Sequence, residues 1–483
     1  MGKPACLSRG TTYFLAIAML PTWLLKDRLW VLLAITSLVV AWSLPVVAQA
    51  LYAVSQPVLS LALAVAWSGI MAGLGLYFYG MARKSPQVAS LAIVLAVATL
   101  ALLYRVPLNF VQPQFMAEDA CIFFVQQREL GWSAFITPYN GYYHTVVRII
   151  AAVVALFPVL FTPAFYNLAW LGIYSLVVTY ILLQYPDRKL APVIALVTAF
   201  VSHNGEIFLV ATDAIWLGGL FLMSLLLLPV PDFKPWVRYF LAGVVLIFSV
   251  SGPFSLALTP FYFLRWLANR KAFPIVYVIA VGLGAIIQMT ALHSYYAHQP
   301  PGVPVTLSTL WLSLEVSVVR VPWSLMVGYQ PQESYWLIGL VFLVVLLGYM
   351  GREIVADFRK HLFPLACLVL SAFFVVLSIR RIAPLENLIP LVNGDRYFYL
   401  PKVLFAWALI HLAATARDAR PFCLALFFCA LGSIAEFTNT QHTVDYDWPH
   451  YAALIEQNLK VQLPVNPPGW STTVNSHITA APK

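Results

Sequence analysis

Apolar segments lie end to end in this chain from about Leu29 to Glu436, and the pieces between them are too short to bury a core of their own. No other feature constrains the fold as much. A helix that is apolar all round is stable only deep in a large core or in hydrocarbon, where helices satisfy every backbone N–H and C=O internally. Of the 483 residues, 61% are hydrophobic and 10% charged, with mean hydropathy +0.83. Soluble domains carry about 25% charged residues. A soluble enzyme, a nucleic-acid binder and a disordered chain are therefore excluded. The expected class is an all-α polytopic membrane protein.

Spans are expected near 29–50, 57–80, 87–104, 165–184, 190–202, 207–228, 239–251, 255–267, 274–292, 335–350, 362–379, 398–415 and 421–436. About 20 residues cross a bilayer at right angles, so 190–202, 239–251 and 255–267 are short and call for protein on their flanks. The stretch 144–161 carries Arg148 and follows a polar loop; it is expected at the interface or re-entering. The segment 11–25 reads as an uncleaved start lying in the interface.

The net charge of +9 reads as topology and not as affinity for nucleic acid. With the N-terminus inside, 18 of the 28 Lys and Arg fall in cytoplasmic pieces, against six of the 19 acids, which is the bias that orients membrane proteins. The long polar pieces 105–143, 293–334, 380–397 and 437–483 then all face outward, so any chemistry is outside. The chain divides into a transmembrane body, 1–436, and an external tail, 437–483, expected as an extended strap on the outer face. The five cysteines show no CxxC or CxxH spacing, which predicts neither a disulfide framework nor a metal site.

The first large loop reads FMAEDACIFFVQQRELGWSAFITPYNGYYHTVVRII. Adjacent Glu118 and Asp119 can cap a helix, deprotonate a hydroxyl or hold a divalent metal. Tyr139, Tyr142 and Tyr143 form an aromatic belt, and His144 and Arg148 share one helical face. An Arg one turn into an apolar segment calls for an anion or an acid partner. In NGDRYFYLPK, 393–402, Asp395 is a candidate cap, and Arg396 stands among Tyr397, Phe398 and Tyr399. Such an Arg either snorkels at the interface or grips a phosphate bidentately. Arg380 and Arg381, on the outside against the charge bias, suggest an anionic ligand or a bridge to Glu386 or Asp395. In SHNGEIFLVATDAIW, Glu206 is expected near the outer surface with Asp213 about two turns deeper, and SGPF, 251–254, reads as a cavity-opening turn or a Pro kink. No Walker, GxGxxG or HExxH motif occurs.

Taken together, EDACIFF, GWSAFITPYNGYYHTVVR, GEIFLVATDAIW, SGPF, GDRYFYLP and the ending LPVNPPGW resemble the GT-C superfamily of integral-membrane glycosyltransferases. More narrowly, they resemble bacterial members that modify surface polysaccharide with a polyprenyl-phosphate-linked sugar. The likeness extends from about residue 115 to 470, although three spans precede the acidic loop where the simplest members have one. The resemblance implies a helical bundle of about 11–14 transmembrane helices in a bacterial inner membrane, with its site facing the periplasm or exterior. It implies Asp119 as preferred general base with Glu118 as neighbour or substitute, and Arg396, helped by Arg148, on the leaving lipid phosphate. Tyr397, His144, Tyr142, Glu206 and Asp395 complete the expected substrate site. The partners implied are the lipid-linked donor, a glycan or lipid-linked acceptor, and membrane lipids. No organic cofactor is implied, and the need for a divalent metal such as Mg or Mn stays open. A flippase for a lipid-linked saccharide, a polysaccharide polymerase or ligase, and a scaffold are the competing readings. No internal repeat of the transporter kind is visible.

Overall fold

The computed structural model describes residue 35 and residues 38–43, 85–296, 306–328, 336–381, 394–437 and 443–476. The segments 11–25 and 57–80, most of 29–50, Glu386 and Asn393 lie outside the described residues. Within them the chain is helical apart from one two-stranded hairpin. Among the described residues, seven helices are long and apolar enough to cross a membrane: Pro86–Arg105, Val159–Gln184, Ile275–Tyr295, Leu307–Val327, Trp336–Ala356, Leu362–Arg381 and Asp395–Thr415. The chain is a multi-pass membrane protein.

Proline starts several of these helices. Ser85 caps Pro86–Arg105 by accepting from Val88 N–H, and Pro107, Pro163, Pro192 and Pro235 each occupy a first turn. There the missing N–H costs nothing and the fixed φ already suits the helix. The shortness expected of three spans is real: their helices are Ala191–Phe200, Pro235–Ser249 and Phe254–Ala268, of 10, 15 and 15 residues. The stretch after 144 forms a ten-residue helix, Thr145–Val154, too short to cross.

Two helices form the centre. Ala214–Leu227 is buried on nearly every side, and Tyr399–Thr415 is enclosed along most of its length. Leu362–Arg381 packs along the latter, while Ala191–Phe200 is pinned to it by Trp407 Nε1 on Ile194 O at 2.8 Å and Tyr399 OH on Thr198 O at 2.9 Å. Arg105 closes the end of the short helix, donating to the carbonyls of Ala199, Val201 and His203. A cation at a helix C-terminus satisfies carbonyls that have no intrahelical partner.

Three expectations need correction. The span expected at 207–228 is helical only from Ala214, because backbone N–H groups at 211 and 212 are taken by the Asp119 carboxylate. The outer piece 293–334 contains the apolar helical run Leu307–Val327, broken into a π turn at Val319–Trp323 around Pro322. Charges at Glu315 and Arg320 masked it in the sequence. The run lies beside the start of the following helix, with Trp311 edge-on to Trp336 at 5.2 Å. Finally, the tail is no extended strap: it forms a helix, Trp448–Glu456, and an antiparallel hairpin pairing Val461–Val465 with Trp470–Val474. Alternate strand residues Val461, Leu463 and Val465 are buried in the main core, which an extended strap would leave exposed.

Candidate active site

The tail anchors the acidic loop. Met116 bridges to Asn466, Ala117 N–H donates to Asn466 O, and Asn466 N–H donates to Phe115 O at 3.2 Å. Ala117 holds a positive φ of 34°, which turns the chain sharply into a π-helical segment, Asp119–Phe124, with Glu118 immediately before it. π segments inside helices often accompany functional sites because the extra residue re-aims side chains.

The two adjacent acids point to different partners. Asp119, 2% exposed, accepts from Ala211 N–H at 2.9 Å on Oδ2 and from Thr212 N–H and Oγ1–H at 2.7 and 2.5 Å on Oδ1. Burial pushes its proton affinity up to about 7, outweighing the three donors, which pull the other way. Glu118 faces the Arg396 guanidinium, 3.7 Å from Nη2. The same guanidinium lies 3.9 Å from Asp213 Oδ2 through Nη1, while Asp213 Oδ1 accepts from Trp216 Nε1 at 3.1 Å. Asp213 is pushed up to about 8, again by burial, with Arg396 opposing.

Glu206 holds Arg396 from behind. Its two oxygens accept from Gly394 N–H at 3.2 Å and Arg396 N–H at 3.1 Å, which fixes the turn where Gly394 takes its positive φ of 75°. Glu206 and Asp213 therefore meet at one arginine, across a stretch, 203–213, that is not helical. Tyr397 lies under the guanidinium at 5.6 Å and against Trp216 at 5.3 Å.

Asp395 turns the other way, into the bundle, and does not cap its own helix. Its carboxylate meets Lys402 Nζ at 2.7 Å, Arg320 Nη1 and His203 Nε2 at 3.6 Å each, and accepts from Asn204 N–H at 3.1 Å. All four side chains are fully buried. So occupied, Asp395 does not bridge to Arg380 or Arg381. Arg381 instead donates to Asn140 O at 2.8 Å and lies over the rings of Tyr142 and Tyr295.

His144 and Arg148 serve the loop from below. Burial lowers the His144 pKa to about 4, so the ring is neutral; its Nε2 lies 3.2 Å from Tyr139 O and its face against Phe123. Arg148 donates to Gln126 Oε1 at 2.6 Å and Thr137 O at 3.1 Å, over the Phe123 ring, with no ion pair to an acid among the described residues. The expected acid partner is replaced by neutral oxygens and a π face. The SGPF turn docks here: Ser251 Oγ accepts from Val146 N–H at 2.9 Å, and Gly252 supplies a φ of 139°.

Of the expected site residues, the structure gathers Glu118, Glu206 and Tyr397 at Arg396, adds Asp213, and sets Asp119, Asp395, His144, Arg148 and Tyr142 in the contacts around them. Sequence reasoning missed Thr212, His203, Arg320 and Lys402. The last carried a signal, since a Lys inside an apolar span is functional or paired by default. The acids do not fit a divalent-metal centre: among the described residues no three metal-ligating side chains converge, both Asp119 oxygens are engaged, and Glu118 and Asp213 face a cation. No family model matches the chain, and no curated protein or solved structure matches it either.

Proposed function

We propose that the chain is a GT-C-type membrane glycosyltransferase that moves a sugar from a polyprenyl-phosphate donor to a surface glycan or lipid-linked acceptor. It would work in a bacterial inner membrane with its site on the outer side. The observation that supports this is one guanidinium, Arg396, held between the loop acid Glu118 and Asp213 where apolar helices end. A lipid donor brings its phosphate to that boundary, and the planar fork of Arg suits a phosphate leaving group.

In this reading the acceptor hydroxyl attacks the anomeric carbon and passes its proton to a carboxylate. The carbon–oxygen bond to the lipid phosphate breaks, and Arg396 stabilises the charge left on the phosphate. Glu118 suits the proton-accepting role better than Asp119, because Asp119 is tied at both oxygens to residues 211 and 212. Asp119 then positions the loop against the turn that carries Asp213.

The test compares surface-glycan mass in a deletion strain, in that strain with the wild-type gene, and in that strain with Glu118→Gln at matched membrane levels. General-base loss costs about 10²–10⁴-fold in rate. One sugar per repeat should vanish on deletion, return with wild type and stay absent with the variant. Full restoration by Glu118→Gln defeats the assignment of the base. A change of chain length without a change of repeat composition defeats the reaction type.

A further inference from the structure

A cavity of about 960 Å³ lies away from the Arg396 cluster. The Tyr399–Thr415 helix begins beside Arg396 and ends in the wall of this cavity at His411 and Thr415. At 1.5 Å per residue its 17 residues separate the two by about 25 Å. The Ala214–Leu227 helix makes the same journey from Asp213 to the cavity wall at Leu226–Leu228.

Two helices, Phe254–Ala268 and Leu362–Arg381, both contribute to the cavity wall. They touch through ring pairs, Phe254 with Phe374 at 5.9 Å and Phe261 with Phe373 at 5.6 Å. Beyond Phe261 the facing residues, Leu264 and Ala268 against Leu362 and Leu365, line a wedge. Leu264, Leu362 and Val369 line it while remaining about half exposed on the protein's apolar flank. Leu362 and Val369 belong to a helix long and apolar enough to span, and half-exposed apolar side chains on such a helix meet lipid chains.

At the helix ends the wall becomes cationic. Arg265, Arg359 and Lys360 stand there against a single acid, Asp187. Arg265 is spent on the carbonyls of Leu225, Leu226 and Leu228, and Lys360 Nζ on Thr415 O, all neutral. Arg359 makes no ion pair among the described residues. His411 Nδ1 bonds the Tyr185 hydroxyl at 2.9 Å, and its buried Nε2 has no hydrogen-bond partner.

We propose that this wedge binds an anionic glycerophospholipid, its phosphate at the rim formed by Arg359, Lys360 and His411 and an acyl chain along the wall shared by these two helices. Basic pockets between spanning helices suit anionic headgroups. The cavity has the size of a ligand site, and an apolar wall favours a lipid over a soluble anion. A lipid seated there fills a gap between two helices, so its binding stabilises the folded bundle by mass action.

The experiment uses the full chain purified in detergent, titrated in turn with phosphatidylglycerol, phosphatidylcholine and inorganic phosphate. Melting temperature and native mass spectrometry are the readouts. Phosphatidylglycerol should raise the melting temperature and appear as a bound mass, with the other two inert. The double variant Arg359→Ala/Lys360→Ala should bind about thirtyfold more weakly, as expected for losing two cations near an anionic headgroup. Val369→Trp, which fills the wedge and leaves the rim intact, should also lose the bound mass. Arg420→Ala, a basic position outside the cavity lining, should bind as wild type. Equal stabilisation by phosphatidylcholine or phosphate, or undiminished binding by both cavity variants, overturns the proposal.

Discussion

Replacing Lys402 by Met probes the charge buried against Asp395. Lys402 Nζ lies 2.7 Å from Asp395 Oδ1 and 3.1 Å from Ser202 O, and neither Lys402 nor Asp395 is exposed. Met has nearly the same length and no charge, so the packing survives while two hydrogen bonds vanish. One is a bond to a charged group, about 1.5–3 kcal/mol, and the other leaves a buried carbonyl short of a donor, about 1 kcal/mol. Asp395 keeps Arg320 and His203 only at 3.6 Å. Breaking one side of a buried pair costs roughly 3–5 kcal/mol, so about 4 kcal/mol is expected. At about 2 °C per kcal/mol for a chain this large, the melting temperature should fall by about 8 °C. The companion is the cycle with Asp395→Asn: removing both partners together should cost about 2 kcal/mol less than the two single losses added. Both readings come from thermal melts of the purified protein at pH 7. Strict additivity, or a single variant that melts like wild type, refutes the view that this pair supports the 394–398 turn.

Asp213 sets a pH dependence. Its carboxyl releases a proton near 3.9 when unfolded and near 8 when folded, so the folded state binds more protons between those values. Stability should therefore fall as pH rises from 4 towards 8, and Asp213→Asn should flatten the upper part of that slope in melts taken across pH 4–9. Thr212→Val removes the hydroxyl that donates to Asp119 while keeping shape; a loss of about 2 kcal/mol by denaturant titration is expected, and no loss would contradict the hydrogen bond. Asn466→Ala removes the side chain that bonds both the N–H and the C=O of Val444, so about 2 kcal/mol should be lost and limited proteolysis should cut the tail before the bundle.

Most helices were legible because each is a continuous apolar run bounded by Pro, Gly or charge, and the expected 87–104, 335–350 and 362–379 fall on Pro86–Arg105, Trp336–Ala356 and Leu362–Arg381. The run at Leu307–Val327 was not, because Glu315 and Arg320 dilute its hydropathy; only the fold reveals that Arg320 is buried against Asp395. The stretch 207–213 misled for the opposite reason. It is apolar enough to read as helix, but its backbone donors are claimed by Asp119, 92 residues earlier, and no local pattern records such a bond. The acidic loop was visible as two adjacent carboxylates, yet their division of labour depends on a π turn and on the tail residue Asn466.

Four acids around one arginine raise an electrostatic question for any site that is to receive a phosphate. Were Glu118, Asp119, Glu206 and Asp213 all ionised, Arg396 would leave three negative charges, and an anion would be repelled from the site. The geometry offers a way out. Asp119 and Asp213 are the two most buried of the four, and burial raises both into or above the neutral range. Glu206 spends its charge on two backbone N–H groups. Arg396 is then opposed at close range mainly by Glu118, the acid that takes the proton in the proposed reaction. In the proposed reaction, protonation of Glu118 and release of the phosphate are therefore coupled: as the loop acid loses its charge, the guanidinium is freed to hold the charge that forms beside it. That coupling requires Asp213 to stay protonated, so ionising it above about pH 8 should weaken donor binding, read as donor affinity measured across pH 7–9 on protein that is still folded.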